Sequence, residues 1–142
     1  FGRINKAEAD LLLSELKIYI NRISGNRILE EKIDFGIISP YKAQVQYLRN
    51  KIKADASLKP YRSLFTVNTV DGFQGQERDV IFISLVRANE EGQIGFLNDL
   101  RRMNVAITRA RMKLVIMGEA DTLKHHGFYR KLLEFIQNIG NQ

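Results

Sequence analysis

The second half of the chain carries four arginines within eleven residues, namely Arg101, Arg102, Arg109 and Arg111. Asp99 is the one acidic residue beside them, so the segment has a strong local positive charge. A guanidinium presents a planar fork of N–H donors that fits phosphate oxygens in a way that a lysine ammonium cannot copy. The segment therefore indicates phosphate binding, with a solvated basic helix face as the alternative interpretation.

A second candidate is the polar, glycine-containing loop at residues 69–79. Gly72 and Gly75 let the backbone come close to a ligand, and exposed N–H groups in such a loop suit phosphate oxygens. Glu77 is able to accept from a sugar hydroxyl, and Thr69 to donate to a nucleic-acid phosphate. Because tight turns use the same residue types, the loop alone is a weak indication of function.

The third candidate is the turn Ser39-Pro40-Tyr41-Lys42. A serine hydroxyl, the start of a helix and a lysine together suit a phosphate group. The alternative is an ordinary strand-to-helix turn in which Ser39 is the helix cap, and taken alone the turn favours that alternative.

Hydrophobic spacing predicts the elements that hold these segments. A helix capped by Asn5 is expected to run to Ile23 and to end at Gly25, followed by a short polar link to Lys32. A loop with Pro60 is expected before the second strand. The other predicted elements are strands at 35–39, 64–67, 79–86 and 113–117, and helices at 41–52, 99–110 and 128–139.

Short apolar strands that alternate with helices predict an α/β fold with a mainly parallel sheet flanked by helices. Working residues in such sheets lie in loops after the carboxyl ends of the strands. We expect one domain over residues 1–142, with residues 120–142 as a helical tail that caps the sheet.

Composition narrows the class of partner. The net charge of +6 favours polyanionic partners, with nucleic acid first among them. The absence of cysteine and the presence of only two histidines leave no residues for a thiolate metal site or a disulfide framework, and little scope for a zinc site. Because no apolar run is long enough to span a bilayer, we expect no membrane partner and a cytoplasmic location, or a nuclear one in a eukaryote.

Taken together, the segments resemble the second, C-terminal RecA-like domain of superfamily 1 helicases, typified by the nonsense-mediated-decay RNA helicase. The similar segments follow the family's order, with motif IV at 39–44, motif V at 70–79 and motif VI at 104–111. Residues 84–89 and 94–99 also fit, and residues 5–9 resemble the Asn-x-x-Glu-Ala stretch that opens this domain. The resemblance runs from about residue 5 to residue 118 and implies a three-layer RecA-like fold.

The resemblance also implies roles for single residues. Arg109 matches the arginine finger that reaches the γ-phosphate of ATP from across a cleft between two RecA-like domains. Gln74, Gly75 and Glu77 match positions near the phosphates and the ribose. A second cationic contact to ATP is expected from Lys6 or Arg3, and the register leaves that choice open.

Single-stranded nucleic acid, DNA or RNA, is expected to cross both domains. The residues that would face its backbone are Ser39, Pro40, Thr69 and Asp71. Arg102 and Arg111 are expected to have structural or electrostatic roles, by pairing with acidic loops.

The sequence contains neither a Gly-x-x-x-x-Gly-Lys-Ser/Thr loop nor a strand that ends in an Asp-Glu pair. We therefore expect a first RecA-like domain, N-terminal in the full protein, to be a partner and to bind most of the ATP and Mg²⁺. Alone, this chain is expected not to hydrolyse ATP. The alternatives are a non-catalytic nucleic-acid-binding module, an inactive helicase-like scaffold, and a metal-dependent nuclease that uses Asp71, Glu77 and Asp79.

Overall fold

The computed structural model describes residues 4–86 and 108–117. The helices are α1 (Lys6–Ile23), α2 (Gly25–Glu31), α3 (Lys42–Ala54) and a 3₁₀ helix (Ala56–Leu64), and the strands are β1 (Phe35–Ser39), β2 (Phe65–Thr69), β3 (Arg78–Ser84) and β4 (Ala110–Met117). The strands form a sheet in the order β2-β1-β3-β4, and every neighbouring pair is parallel. The predicted α/β fold with a parallel sheet is confirmed.

The core lies between one face of this sheet and the helices. Asn5 begins α1 by accepting a hydrogen bond from the backbone N–H of Glu8 at 2.9 Å. From there, apolar residues at helical spacing bury one side of α1 against the sheet. The buried cluster joins this side of α1 to α2, α3, the 3₁₀ helix and the central strands through Leu12, Leu16, Ile28, Phe35, Ile37, Leu48, Leu58, Val80 and Phe82.

The two central strands are apolar on both faces, as their unbroken hydrophobic runs predict. Phe35, on the helical face, lies edge-to-face with Tyr19 and with Phe65. On the opposite face, Ile38 and Ile81 are fully buried as well.

Two predicted connections, the link after the first helix and the loop before the second strand, are helical in the structure. Gly25 begins α2 instead of ending the first helix, because Ser24 at φ 95° turns the chain and its hydroxyl accepts from the N–H of Arg27. The expected polar link is therefore a second helix, which Lys32 ends in the left-handed conformation. The expected loop around Pro60 is a 3₁₀ helix, which has Pro60 inside it.

The predicted helix at 99–110 is wrong at its end. Thr108 and Arg109 form a turn and Ala110 opens β4, so Arg111 lies on a strand. A β-strand suits this end because it continues directly into the apolar run Leu114 to Met117. The rest of that helix, Arg101 and Arg102, and the tail predicted at 120–142 lie outside the described residues.

The connection from β2 to β3 crosses the sheet in only eight residues, 70–77. Both strands are parallel neighbours of β1, so this connection starts at the carboxyl edge of the sheet and ends at its amino edge. We call residues 70–77 the crossover. Among the described residues, no helix has both the length and the apolar character needed to cross a membrane.

Candidate functional site

The crossover begins as a tight turn fixed to the ends of two strands. Thr69 accepts through its carbonyl oxygen from the N–H of Phe73 at 3.0 Å, and through its hydroxyl from the N–H of Gly72 at 3.1 Å. The N–H of Val70 donates to the carbonyl of Ser39 at 3.2 Å. These bonds place Thr69 and Asp71 at the carboxyl edge, beside the end of β1.

The middle of the crossover is anchored by Phe73, which is almost fully buried. A Cβ added to Gly36 in β1 would lie only 2.9 Å from two atoms of the Phe73 ring. Gly36 therefore leaves the space into which this ring packs, a role that its strand pattern alone does not reveal.

Arg78 holds the other end of the crossover. Its guanidinium donates to Gln76 Oε1 at 2.6 Å, to the carbonyl oxygen of Glu77 at 2.6 Å, and to Thr66 Oγ1 on β2 at 2.9 Å. The same group lies 5.4 Å from the centre of the Phe73 ring. Sequence reasoning assigned no role to Arg78, because its partners come together only through the fold.

At the amino edge of the sheet, the end of the crossover meets the turn that carries Arg109. The backbone N–H of Arg78 donates to the carbonyl oxygen of Arg109 at 3.2 Å, so the turn before β4 lies next to the end of the crossover. Gly75 has a φ of +83°, and nothing lies within 4 Å of the position that a Cβ would take. Glu77, next to Arg78, is exposed and Arg109 is partly exposed. Gln74 is exposed too, but its N–H donates to the carbonyl oxygen of Asp71 at 3.3 Å, so it lies in the turn that begins at the carboxyl edge. The amino edge therefore offers a carboxylate and a guanidinium, and the crossover offers open backbone at Gly75, two residues before Glu77.

Arg111 lies at the same edge but is engaged in ion pairs. Its guanidinium donates to Asp79 Oδ1 at 3.0 Å and to Asp34 Oδ1 at 3.3 Å. The two aspartates also accept from each other's backbone N–H groups, at 3.1 and 2.7 Å. Partial burial acts to raise the pKa of Asp79, but the bonds from Arg111 and Asp34 outweigh it, and the net pKa lies below its ordinary value. The predicted structural role of Arg111 fits this pairing.

At the carboxyl edge, Ser39 and Thr69 are paired residues of neighbouring strands. Ser39 is fully buried, and its hydroxyl accepts from the N–H of Tyr41 at 3.3 Å; Pro40 is buried beside it. Thr69 is partly exposed and Asp71 is exposed. The four predicted nucleic-acid residues therefore lie at one edge, where Thr69 and Asp71 have accessible surface and Ser39 shapes the turn.

A buried polar network at the same edge escaped sequence reasoning. Gln44 Nε2 donates to Ser84 Oγ at 3.1 Å, and Ser84 Oγ donates to Glu8 Oε1 at 2.5 Å. Gln44 also exchanges two hydrogen bonds with the backbone of Asn5, at 2.9 and 3.0 Å. The one signal in the sequence was three polar side chains on the inner faces of otherwise apolar elements.

Lys6 lies in the first turn of α1, with its Nζ 5.9 Å from the centre of the Tyr47 ring. Through Glu8 this turn is tied to the carboxyl end of β3, whereas Arg109 is hydrogen-bonded to the first residue of β3. The seven residues of β3 separate the two edges by about 20 Å. The structure therefore does not bring Lys6 and Arg109 together, and Arg3 lies outside the described residues.

An AAA domain family model matches residues 2–121 of the chain. The chain is 41% identical over 133 residues to the probable helicase MAGATAMA 3 of Arabidopsis thaliana. This alignment covers 94% of the chain and 16% of that relative. It is 46% identical over 99 residues to the helicase sen1 of Schizosaccharomyces pombe, covering 70% of the chain and 6% of the relative. It is 45% identical over 102 residues to the regulator of nonsense transcripts 1 homolog of Neurospora crassa, covering 70% and 9%. The chain thus spans less than a fifth of the length of each of these relatives.

Proposed function

The chain belongs to the AAA domain family and has relatives named as helicases, and on this basis we propose that it is the second RecA-like motor domain of an ATP-dependent helicase or translocase. The observation that carries the proposal is the hydrogen bond between the backbones of Arg78 and Arg109. It joins the end of motif V to the end of motif VI, so Glu77 and Arg109 lie near each other at the amino edge of the sheet, and Gly75 precedes Glu77 by two residues.

The groups at this edge and in the crossover suit ATP. The open backbone at Gly75 permits close approach of a phosphate, and its positive φ turns the chain without steric cost. Glu77 is an exposed acceptor for a ribose hydroxyl, and Gln74 is exposed in the crossover. When bound, ATP supplies a γ-phosphoryl group whose transfer to water releases the free energy for movement. We assign most contacts to ATP and Mg²⁺ to a first RecA-like domain with Walker A and B motifs.

Arg109 is the residue that we propose to act in the reaction. Its guanidinium carries N–H donors in a planar fork that matches phosphate oxygens. Arg109 would therefore stabilise the negative charge that develops on the transferred phosphoryl group. Such an arginine raises turnover by about 10³- to 10⁵-fold. A single-domain chain with only this half of the site is expected not to turn over ATP.

We propose that the carboxyl edge carries single-stranded nucleic acid. The hydroxyl of Thr69 accepts from the N–H of Gly72, and its own proton can be donated to a phosphate oxygen. Asp71 is exposed on the same turn, and the buried Ser39 and Pro40 set the direction in which α3 begins. The net charge of +6 supports a polyanionic partner of either sugar type.

The three alternatives to this proposal make different predictions. A non-catalytic binding module, with its arginines as plain phosphate contacts, would bind nucleic acid without dependence on ATP, and a scaffold would lack turnover in the full protein. The nuclease alternative has less support, because Asp79 is held by Arg111 and by the N–H of Asp34. Within the described residues, no three acidic, histidine or cysteine side chains are grouped to hold a metal ion.

The test is nucleic-acid-stimulated ATPase of the full-length protein, compared between wild type and Arg109→Ala. We expect turnover to fall by about a thousandfold or more while ATP binding is mostly kept. Arg27→Ala is the matched control, since it removes an exposed arginine that pairs with Glu31 within one helix. Equal activity of wild type and Arg109→Ala would make Arg109 structural. No activity in either would favour the module or the scaffold.

A further inference from the structure

The polar residues that the described core buries lie at one place. Glu8, Ser39, Gln44 and Ser84 are each less than a tenth exposed, and all four lie at the carboxyl edge of the sheet or against it. A buried carboxylate is costly unless hydrogen bonds stabilise it, so the partners of Glu8 indicate what it holds. The proposed chemistry at Arg109 does not use this group.

Glu8 holds the end of β3. Its Oε1 accepts from Ser84 Oγ at 2.5 Å and from the backbone N–H of Val86 at 3.0 Å. Ser84 is the last residue of the strand, and Val86 lies two residues beyond it. One oxygen of a residue on α1 therefore accepts two hydrogen bonds where the strand stops, while Leu85 between the two donors still donates its N–H to Met117 of β4.

Val86 has an unusual backbone conformation. Its φ is +69°, in the left-handed region that β-branched residues rarely adopt. Such conformations persist only where the surroundings determine them, and they cluster at functional sites. The N–H of Val86 donates to Glu8 in this conformation, so the hydrogen bond helps to hold Val86 in the left-handed region where β3 ends.

The same carboxylate belongs to a wider connection. Gln44, in the first turn of α3, donates to Ser84 Oγ and to the carbonyl oxygen of Asn5. The first turn of α3 follows the Ser39-Pro40 turn, and Asn5 caps the helix that carries Lys6. The network thus fixes the end of β3 to both of these segments.

We infer that Glu8 is a positioning residue of the proposed motor, which holds the end of β3 and the left-handed Val86 in place at the carboxyl edge through its bonds to Ser84 and Val86. This inference rests on the proposed function, because β3 ends at the edge assigned to nucleic acid. Glu8 acts through Val86 and Ser84, and we assign it no contact with ATP or nucleic acid.

The experiment uses Glu8→Ala, Glu8→Gln and Val86→Gly in the full-length protein. The amide oxygen of Gln accepts the same two hydrogen bonds, so we expect Glu8→Gln to keep stimulated ATPase turnover within about twofold of wild type. Loss of positioning in Glu8→Ala should lower kcat by about ten- to a hundredfold, with the KM for ATP changed by less than about threefold. Glu30→Ala, which removes an exposed glutamate on α2, is the control and should resemble wild type.

Rescue separates positioning from general stability. Glycine adopts positive φ without strain, so Val86→Gly combined with Glu8→Ala should recover most of the lost kcat. If Glu8 only stabilised the fold, the two substitutions would add, because Val86→Gly also removes a buried side chain. Additive loss, or a folded Glu8→Ala protein with normal kcat, would overturn the inference.

Hydrogen exchange of the Val86 amide gives a readout that does not need activity. We expect faster exchange in Glu8→Ala than in Glu8→Gln, because Ala leaves that N–H without its acceptor. Unchanged exchange would overturn the inference even if turnover fell. A wild-type protein without stimulated ATPase would instead overturn the proposed function, and the exchange measurement would still decide whether Glu8 holds Val86. If Glu8→Ala does not fold, Ser84→Ala, which removes one donor, should give a smaller loss of the same kind.

Discussion

The backbone N–H of Arg78 donates to the carbonyl oxygen of Arg109 at 3.2 Å, which fixes the first residue of β3 against the residue before β4. The side chain of Arg78 at the same time bonds to Gln76, to the carbonyl of Glu77 and to Thr66 on β2. Because one residue joins the crossover, the neighbouring strand and the Arg109 turn, a shift of the crossover changes the surroundings of Arg109 directly. The crossover also begins at the carboxyl edge, so it is a short physical link between the two proposed ligand edges.

Arg78→Ala should destabilise the chain by about 2 kcal/mol, because it removes three side-chain hydrogen bonds from a charged donor. Arg78→Lys should recover only part of this, since one ammonium cannot reproduce the fork that reaches both Thr66 and Gln76. Urea unfolding would measure both, with exposed Arg22→Ala as the control. An Arg78→Ala chain as stable as that control would contradict the assigned role.

Gly36→Ala should also destabilise the chain, by about 1–3 kcal/mol, because the new Cβ would meet the Phe73 ring at 2.9 Å. Phe73→Leu should make Gly36→Ala less costly, since a smaller side chain leaves room for the methyl group. A double-mutant cycle in urea measures this coupling. Gly75→Ala is an informative comparison, because its Cβ would meet nothing, and only its φ of +83° opposes the change. No coupling between positions 36 and 73 would mean that the strand relaxes.

The elements that the sequence predicted well are those whose signal is local. The cap at Asn5 and the apolar face of α1 lie within a few turns of one another, and the run of apolar residues in β3 identifies a strand buried on both faces. The predicted end of the helix at 99–110 was wrong. Thr108 and Arg109 fit a helical spacing in the sequence, but the pairing of β4 with β3 determines the structure from Ala110 onwards. Spacing gives no information on such long-range pairing.

The same limit applies to the candidate site. Motif order selected Gly75, Glu77 and Arg109 as candidates, since each belongs to a recognisable segment, and their roles stay predictions. The supporting residues were not predictable in this way, because Glu8 and Ser84 meet across 76 positions of the chain. A buried glutamate in an amphipathic helix is a signal only once its helix face is known.

The substitution Arg111→Ala should change how the free energy of unfolding of the chain depends on pH. The folded pKa of Asp79 lies below its ordinary value, so this group adds stability above the unfolded pKa of about 3.9, and the contribution is lost as pH falls through the folded pKa. Arg111→Ala removes a bond that lowers this pKa and leaves the Asp34 and Asp79 carboxylates facing each other. We therefore expect Arg111→Ala to be less stable than wild type at pH 7. The difference between their free energies of unfolding should narrow as pH falls below about 4.

Urea unfolding of wild type and Arg111→Ala, followed from pH 7 to pH 3, would measure this difference in stability. Arg27→Ala, which removes an exposed ion pair within α2, should show a small effect at any pH. A stability difference between wild type and Arg111→Ala that stays constant across this pH range would mean that Arg111 stabilises the edge through side-chain packing and not through its charge.

Thr69→Val should weaken binding of single-stranded nucleic acid by the full-length protein by about tenfold, the effect of losing one hydrogen bond to a charged phosphate. Valine keeps the shape of threonine but has no hydroxyl, whereas Thr69→Ser keeps the hydroxyl that the N–H of Gly72 also uses and should bind like wild type. Fluorescence anisotropy measures the affinity at several salt concentrations. The slope of affinity against salt separates the loss of a hydrogen bond from the loss of a charge contact. Thr69→Val should leave the salt slope unchanged, while Lys42→Ala, at the exposed start of α3, should lower it by about one. Wild-type affinity in Thr69→Val would remove Thr69 from the proposed nucleic-acid edge, and a reduced slope in that variant would mean that the substitution disturbs neighbouring charged groups.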